Sequence, residues 1–527
     1  MVYRRHTNFA MEAIEQTLNG NPDWGKKSTC IISRNGDLVT RMYLQVVLPS
    51  VSVPAGYHFR WLDKVGHAMI NNIEVEIGGS RIDRHYTDWF EIYNQLTLPT
   101  GLRGAYDKMI GNVPELTNVV AGPTTTTPNG NYTLYIPLIF WFNRNPGLAL
   151  PLIALQYHEV KVNIEFNNWS DVIWTDSNSL TVPSLVDVSL WVDYVYLDSD
   201  ERKRFAQASH EYLIEQVQYT GEESISSARP NIKMNYNHPA KMLVWVMQKD
   251  DLNNPTSTTS SGGTTIPTGV TQFCGMQPLN YTDQFDETKA RTDTTITTAA
   301  GTLWANGGAR QFWYNLDNTL MDPNSGATAV SYPVSSRALG KYTWTGGKSP
   351  IETAKIQLNG QDRFTERPGS YFDTVQPFQH FDNVPGAAGI HVYSFALKPA
   401  EHQPSGSCNM SRIDNANLQI ALKTSFQQMN YTLPLQYPNV RVRRERRRRP
   451  GRDRAAAGHV PGSYPPASSA SYYGTLKLHC VNYNVLRIMS GMGEESAHNS
   501  QLPGRCHSKP FWVNSVKNGF SSGVAAC

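Results

Sequence analysis

One short pattern occurs twice in this chain, and the repeat restricts the possible folds more than any other feature. Residues 73–84 read IEVEIGGSRIDR, and residues 354–364 read AKIQLNGQDRF. Apolar and polar residues alternate in both copies, as in a strand with one buried face. Each copy then contains a pair that readily adopts positive φ angles, Gly78-Gly79 or Asn359-Gly360. The repeat therefore predicts two hairpins of the same kind, far apart in the sequence.

Other strand-like segments surround the two copies in the same order. Two tandem domains of one fold explain this order. The number of residues between two matching segments is larger for the later pairs than for the first pair. The second domain is therefore predicted to contain a large insertion. The matching pairs are 42–48 and 242–247, 135–142 and 390–397, and 160–166 and 417–422.

The composition favours strands over helices. Of 527 residues only 17% are charged, whereas 11% are aromatic, and the chain contains 39 Gly and 32 Pro. These values suit many short strands joined by turns, and the length suits two large β-sandwiches. We therefore predict an all-β protein with two tandem sandwiches and short helices in the loops. No apolar run reaches the roughly 18 residues of a membrane span, and MVYRR lacks the apolar core of a signal peptide, so synthesis in the cytosol is expected.

Local patterns predict turns, helices and the border between the domains. Asn35-Gly36 lies between apolar runs and predicts a hairpin. Residues 87–98 carry apolar side chains three and four positions apart, which predicts a short amphipathic helix. Asp198 stands three residues before Glu201 and predicts the start of a second helix, at which the first domain ends. Surface loops are predicted at 101–131 and 250–345.

The sequence contains no pattern that indicates catalysis, a cofactor or a metal site, so we predict that the protein is not an enzyme. Glu74 and Glu76 alternate along a strand and are expected on its solvated outer face. Cys408 and His402 lack the third group that would orient a nucleophile and its base. A zinc site at His479-Cys480 is disfavoured, because neighbours on a strand point to opposite faces. The six cysteines are predicted to be buried or free thiols.

Several separate segments resemble one known family. Residues 403–416 read QPSGSCNMSRIDNA, preceded by RPGSYF at 367–372 and followed by NYNVLRIMSGMG at 482–493. YRRHTNFA at 3–10 and DSDER at 198–202 belong to the same set. Over residues 2–440 and 474–493 the chain resembles the major capsid protein of nucleocytoplasmic large DNA viruses, and the phycodnavirus and mimivirus-like branch is the most similar.

The resemblance implies a double jelly roll, with one eight-stranded jelly roll in residues 1–205 and a second in residues 206–493. It also implies a homotrimer that mimics a hexagon in an icosahedral capsid. Neighbouring capsomers, minor capsid proteins and the inner membrane side are the expected contacts, and the protein is expected in the virion after assembly in the host cytoplasm. A glycan-binding β-sandwich protein is the alternative, since jelly rolls also carry such sites. A dedicated nucleic-acid-binding protein is a further alternative, and it rests on an arginine run.

Three parts of the chain depart from the family pattern. Met1 stands where the family has a further N-terminal arm. Residues 441–472 form a basic, low-complexity insertion without a counterpart, and residues 494–527 form an atypical C-terminal tail.

The arginine run at the start of the insertion has three possible interpretations. It is a polyanion contact for genome phosphates or an acidic membrane surface, a solvated loop, or the product of a shifted reading frame in GC-rich DNA. The last interpretation rests on the codons of Arg, Ala, Gly and Pro, which are all GC-rich. The candidate contact residues are Arg441, Arg443, Arg444, Arg446, Arg447, Arg448 and Arg449.

Two Asn-Tyr-Thr sequons, at Asn131 and Asn280, are possible glycosylation sites in the predicted loops. Assembly in the cytosol argues against glycosylation by host enzymes. No other candidate site is predicted.

Overall fold

A computed structural model of the chain describes residues 7–55, 57–118, 120–122, 124–125, 131–175, 177, 180–250, 258–261, 264–267, 276–283, 295–297, 329–331, 348–423 and 474–488. The arginine run, the rest of the insertion at 441–472 and the tail at 494–527 lie outside these residues. Most of the predicted insertion at 250–345 lies outside them as well.

Eight long strands in the first part of the chain form two antiparallel four-stranded sheets. Their orders are β1-β8-β3-β6 and β2-β7-β4-β5, so that consecutive strands often belong to different sheets. This order is that of a jelly roll, in which two sheets face each other. The strands are β1 (Phe9–Thr17), β2 (Lys27–Ile31), β3 (Leu38–Leu48), β4 (Ile70–Ile77), β5 (Ser80–Tyr86), β6 (Tyr132–Pro137), β7 (Val160–Phe166) and β8 (Asp187–Leu197).

Eight further strands form a second pair of sheets with the same order. The orders are β9-β16-β11-β14 and β10-β15-β12-β13, so each label is eight higher than its counterpart in the first sandwich. The predicted repeat is therefore a repeat of topology. The strands are β9 (His210–Ile225), β10 (Asn231–Met234), β11 (Pro239–Lys249), β12 (Ile351–Leu358), β13 (Gln361–Asp362), β14 (Ile390–Ser394), β15 (Ala416–Leu422) and β16 (Gly474–Ile488).

Short strands and helices fill the connections. Two-residue strands at Leu150–Pro151, Cys408–Asn409 and Arg367–Pro368 extend the main sheets. Small separate sheets pair Ile173–Thr175 with His58–Trp61 and Val120–Ala121, Ser52–Val53 with Thr124–Thr125, Thr258–Ser261 with Thr264–Pro267, and Thr295–Thr297 with Ala329–Ser331. The α-helices are α1 (Val65–Ala68), α2 (Thr87–Thr97), α3 (Arg103–Met109), α4 (Pro114–Thr117), α5 (Trp141–Arg144), α6 (Ser199–Gln207) and α7 (Gln376–His380), and a π-helix at Tyr371–Val375 leads into α7. The 3₁₀ turns are Thr100–Leu102, Pro146–Leu148, Leu152–Ala154, Trp169–Asp171 and Met410–Arg412.

The two hairpins that define the repeat have the predicted turns. Gly78 and Gly79 have φ angles of 58° and 82°, and Asn359 and Gly360 have φ angles of 50° and 80°. The helices predicted at 87–98 and after Asp198 are confirmed as α2 and α6, and the Asp198 side chain accepts a hydrogen bond from Ser199 N.

Replacing Gly360 by alanine is expected to lower the free energy of unfolding by about 1 kcal/mol, because alanine is strained at positive φ. A Cβ at Gly360 would meet no atom within 4 Å, so the backbone angle alone produces the loss. Gly104→Ala in α3 is the matched control, with equally open surroundings and a helical backbone. Denaturant unfolding should show a small gain for the control, and an equal effect of both changes would contradict the explanation.

Three local predictions are wrong. Asn35-Gly36 does not form a hairpin, because β2 pairs with β7 whereas β3 pairs with β8. The link crosses between sheets, and glycine is needed there because a Cβ would lie 2.8 Å from Tyr194 Cβ. The strand predicted over 135–142 ends at Pro137, which has no N–H for the ladder. The segment 101–131, predicted as a loop, contains α3 and α4.

Glu74 is also not on a solvated face as predicted. It is 6% exposed, and Lys27, Arg84 and Asn163 bond its carboxylate. Burial disfavours the charged form, but the hydrogen bonds from Arg84 and Lys27 outweigh it and lower the pKa of Glu74. The outer face of a sheet can therefore bury a carboxylate when neighbouring strands supply its partners.

The sheet β9-β16-β11-β14 is buried on both faces, and this burial joins the two sandwiches. On one face Leu243, Trp245 and Leu478 pack into the core of the second sandwich. On the other face Val244 and Val481 belong to the apolar cluster of the first sandwich. Every residue of β11 after Pro239 is buried. A continuous apolar strand is the expected sequence for a sheet with two covered faces.

Candidate functional site

The predicted site residues that the structure describes are two sequons and several cysteines and histidines. Asn131 is exposed immediately before β6. Asn280 is half-buried, and its side-chain oxygen accepts hydrogen bonds from the backbone and hydroxyl of buried Thr282. The Asn280 side chain is therefore engaged in hydrogen bonds within its own sequon, whereas the Asn131 side chain is accessible. Arg441, Arg443, Arg444 and Arg446–Arg449 lie outside the described residues.

Cys30, Cys408 and Cys480 are buried. Burial raises the pKa of Cys30 to about 11, so this thiol stays protonated and unreactive. Within the described part of the chain, no group of three or more His, Cys, Asp or Glu side chains is arranged to hold a metal ion. Nor does any described helix have the length and apolarity to cross a membrane.

Ser349 and His391 form a pair that superficially resembles a nucleophile and its base. Ser349 Oγ lies 2.7 Å from His391 Nε2, and His391 Nδ1 lies 3.3 Å from the Trp245 carbonyl oxygen. Ser349 Oγ also accepts a hydrogen bond from Ile351 N, and burial lowers the pKa of His391 to about 4. The hydroxyl thus closes a local turn and satisfies a buried imidazole, which is a structural role.

Polar and charged groups concentrate at the interface between the two sandwiches. One cluster surrounds Asp88 at the start of α2. Asp88 Oδ1 accepts a hydrogen bond of 2.7 Å from the Tyr281 hydroxyl, and Asp88 Oδ2 accepts one of 2.7 Å from Lys477 Nζ. Lys477 also lies 3.2 Å from Glu222. Burial opposes the charge of Lys477, but Asp88 and Glu222 outweigh burial and raise its pKa.

The side chain of His479 lies beside this cluster. The His479 ring stacks on Tyr219 at 4.8 Å between ring centroids and lies 5.5 Å from the Trp89 ring. Neither ring nitrogen has a hydrogen-bond partner among the described residues. Burial lowers the pKa of His479 to about 4, so the ring is neutral at pH 7.

A second cluster surrounds Glu215 of β9. Its carboxylate lies 2.6 Å from Lys241 Nζ and 2.8 Å from Arg144 Nη1 of α5, which belongs to the first sandwich. The Arg144 guanidinium also lies over the Tyr93 ring at 5.1 Å. Burial raises the pKa of Glu215, but Arg144 and Lys241 outweigh it and hold the pKa below its ordinary value. Burial lowers the pKa of Lys241 to about 8, and Glu215 partly opposes this.

The edge strands of the two sandwiches are joined directly. The Gln216 side chain donates to the Ile82 carbonyl oxygen, and Val217 N donates to Asp83 Oδ1 at 3.0 Å. Asp83 Oδ2 also lies 2.9 Å from His85 Nε2. The Tyr86 and Tyr219 rings meet at 4.7 Å. Strand β5 and strand β9 are therefore held in one register.

Together these contacts make the two sandwiches one unit. Ion pairs, hydrogen bonds and apolar packing hold each sandwich in a fixed orientation, and the charged groups are paired with one another. A cleft of about 670 Å³ between the sandwiches is lined by the same side chains, including Asp88, Tyr219 and Lys477. The arrangement fixes the geometry of the two sandwiches, and within the cleft Asp88 and Lys477 bond each other.

The sequence did not reveal this interface. Lys241, Glu215 and Lys477 were not predicted as important residues. The available signal was a charged residue within, or next to, a strand that is otherwise apolar, as at Lys241 before the run 242–247. A charge in a strand with two buried faces requires a partner.

Comparisons with known proteins agree with the fold. A family model described as the major capsid protein N-terminus matches residues 1–198, and one described as the large eukaryotic DNA virus major capsid protein matches residues 201–436. The chain is 42% identical to the major capsid protein of Phaeocystis pouchetii virus, with 94% of each chain covered. It is 38% identical to that of Paramecium bursaria Chlorella virus 1, with 93% of this chain and 92% of the relative covered.

Solved structures give the same result. The chain matches a subunit of the quasi-atomic model of the PBCV-1 virus capsid with a TM-score of 0.61 and 33% identity, over 95% of this chain and 99% of that one. It shares its fold with the Faustovirus major capsid protein at a TM-score of 0.58 and 12% identity, over 92% and 91% of the two chains. Both the sequence matches and the double jelly roll support a structural capsid role over the glycan-binding alternative. The chain therefore belongs to the family of large eukaryotic DNA virus major capsid proteins.

Proposed function

We propose that three copies of this chain form a pseudo-hexagonal capsomer that tiles an icosahedral shell. The observation that supports this most directly is the interface between the sandwiches. It fixes two jelly rolls of the same topology side by side in one unit, and three such units supply six similar wedges. Closed rings with threefold symmetry are ordinary oligomers. Neighbouring capsomers, minor capsid proteins and the inner membrane side are the proposed further contacts, and assembly in the host cytoplasm is the proposed route.

We further propose that the two jelly rolls divide within residues 203–212, which run from the second half of α6 to the start of β9. The family models change between residues 198 and 201, close to the start of α6, which supports this division. The loops within 101–131 and 250–345 are proposed to face the outside of the capsomer, where the accessible Asn131 would also lie. The polyanion role of the arginine run remains a prediction from sequence alone.

The mass of the purified protein tests the proposal. Light scattering after size exclusion is expected to give three times the chain mass of 59.0 kDa. Negative-stain images of the same fraction are expected to show a six-lobed outline. A particle with the mass of one chain at micromolar concentration, with binding to glycan arrays, would instead favour the glycan-binding alternative.

A further inference from the structure

The internal interface uses a specific pair of surfaces from the two sandwiches. The second sandwich contributes the outer face of β9-β16-β11-β14, where Glu215 and His479 lie. Besides the contacts between β5 and β9 described above, the first sandwich contributes the connections on either side of its sixth strand, β6. Trp89 in α2, before β6, meets His479 at 5.5 Å, and Arg144 in α5, after β6, meets Glu215 at 2.8 Å.

In the corresponding sheet of the first sandwich, β1-β8-β3-β6, the outer face is covered at one end, where Leu38 and Val195 pack with Phe205 of α6. Elsewhere this face is partly exposed. Tyr43, Tyr135 and Trp191 lie on this face on three neighbouring strands, and we call them the aromatic face. The Tyr43 ring is 6.1 Å from the Trp191 ring and 6.0 Å from the Tyr135 ring. Tyr135 is exposed, and Tyr43 and Trp191 are half-buried. On the edge strand β1, exposed Phe9 and Met11 point to the same side of the sheet as Trp191. Every second residue of a strand shares a face, and Glu15, which shares the face of Phe9 and Met11, pairs with Trp191.

The corresponding connections of the second sandwich carry exposed apolar side chains. Val375 and Phe378 lie in the helical segment before β14, the sixth strand of that sandwich, and Leu397 follows β14. Phe378 is 76% exposed and Leu397 is 72% exposed. A hydrogen bond of 2.9 Å between His380 Nδ1 and the Leu397 carbonyl oxygen holds the two connections together. We call Val375, Phe378 and Leu397 the apolar knob.

We infer that the apolar knob of one copy packs on the aromatic face of the next copy. This inference rests on the trimer proposed above and names its contact surfaces. The contact would repeat, between copies, the contact that the chain already makes inside itself, because both use the same sheet and the same two connections. A second copy of this chain is therefore the partner expected on the aromatic face, because the chain already makes the equivalent contact within itself.

The chemistry of the two patches agrees with such a contact. Aromatic side chains are enriched in the cores of protein interfaces, and clustered exposed apolar groups are uncommon on surfaces that stay in water. The two patches differ and lie on different sandwiches, so the contact is heterologous. A heterologous contact forms a closed ring when the rotation that relates neighbouring copies returns to the first copy. In a ring of three copies, internal and intermolecular contacts would then alternate around six sandwiches.

Charged substitutions in the knob test the inference. Phe378→Asp and Leu397→Asp are each expected to convert the trimeric particle to a single chain of 59.0 kDa at micromolar concentration. Their thermal unfolding as single chains should be preserved, since both side chains are exposed. Tyr157→Asp is the matched control, because Tyr157 is 75% exposed and outside both patches. The control is expected to keep the mass of three chains.

Cysteine pairs test which surfaces meet. Phe378→Cys protein mixed with Tyr135→Cys protein, dissociated and reassembled, is expected to give a crosslinked pair of chains under mild oxidation. Phe378→Cys protein alone is expected to give no crosslink above the unsubstituted chain, because a heterologous contact does not bring two knobs together. A crosslink between two knobs would overturn the inference in favour of an isologous contact.

The outcomes separate the inference from the proposed function. If the unsubstituted protein is a trimer and the knob variants remain trimers without mixed crosslinks, the surfaces are wrong and the capsomer proposal stands. If the unsubstituted protein is a single chain under all conditions of assembly, the trimer itself is wrong.

Discussion

Replacing Glu215 by alanine is expected to lower the free energy of unfolding by about 3–5 kcal/mol, the usual effect of removing one partner from a buried ion pair. The substitution leaves two positive groups, Arg144 and Lys241, close together at the interface between the sandwiches. Lys241 is 1% exposed, so bulk solvent does not reach it to replace the lost carboxylate. Denaturant unfolding at pH 7, followed by circular dichroism, measures the loss.

The pH dependence of the same variant gives a second readout. Burial already lowers the pKa of Lys241 to about 8 in the folded chain, and Glu215 is the group that opposes this change. Without Glu215 the folded pKa falls further below the unfolded value. The unfolded chain then binds more protons, so stability rises with pH in this range. The deficit of the variant relative to the unsubstituted chain is therefore expected to be smaller at pH 9 than at pH 7.

Glu211→Ala is the matched control on the same strand. Glu211 pairs with Arg487 at 2.6 Å, but Glu211 is 57% exposed. Exposed ion pairs contribute about 0–1 kcal/mol, so this change should have little effect. A loss for Glu215→Ala no larger than that of the control would mean that the ion cluster does not stabilise the interface.

The sequence predicted the repeat, the all-β class and most strands because these depend on local patterns. The run 242–247 was predicted as a strand from its apolar residues alone, and the turn at Asn359-Gly360 was predicted from its φ preference. The hairpin predicted at Asn35-Gly36 is wrong because a connection between two sheets and a hairpin turn both use such residues. What distinguishes them is the pairing partner of β2, which lies more than a hundred residues away in β7.

The interface between the sandwiches was not predictable in the same way. Each of its charged clusters combines side chains from distant parts of the chain, such as Asp88 with Lys477 and Arg144 with Glu215. No local spacing connects these residues. Glu74 shows the same limit, because its alternation with Glu76 indicated an outer face correctly but could not show that Arg84 and Asn163 would cover it.

Mild acid is expected to weaken the chain at the interface between the sandwiches through His479. Burial lowers the pKa of His479 to about 4 from an ordinary value of 6.5. The unfolded chain therefore binds a proton more readily than the folded chain between these values. This contribution to stability is fully present above pH 6.5 and is lost as the pH falls toward 4. Between pH 7 and pH 5 the loss is about 2 kcal/mol for one such histidine.

His391 is expected to cause a similar loss of stability in acid, because burial lowers its pKa to about 4 as well. The two histidines differ in their hydrogen bonds. His391 has Ser349 and the Trp245 carbonyl as partners, whereas neither nitrogen of His479 has a partner among the described residues. The groups that face His479 are Asp88, Lys477 and His85, together with the Tyr219 and Trp89 rings. A protonated His479 would thus lie near the positive charge of Lys477.

His479→Phe separates the two contributions, since phenylalanine keeps the ring contacts and removes the titrating group. At pH 7 the variant is expected to be as stable as the unsubstituted chain or more stable, because burying two unpaired ring nitrogens has a cost that the substitution removes. At pH 5 the variant should lose about 2 kcal/mol less than the unsubstituted chain. Urea unfolding at pH 7, 6 and 5 measures the difference, and this range lies above the ordinary pKa values of Asp and Glu, so that carboxylates contribute little. Parallel pH profiles for the two proteins would show that His479 is not the group that responds to acid.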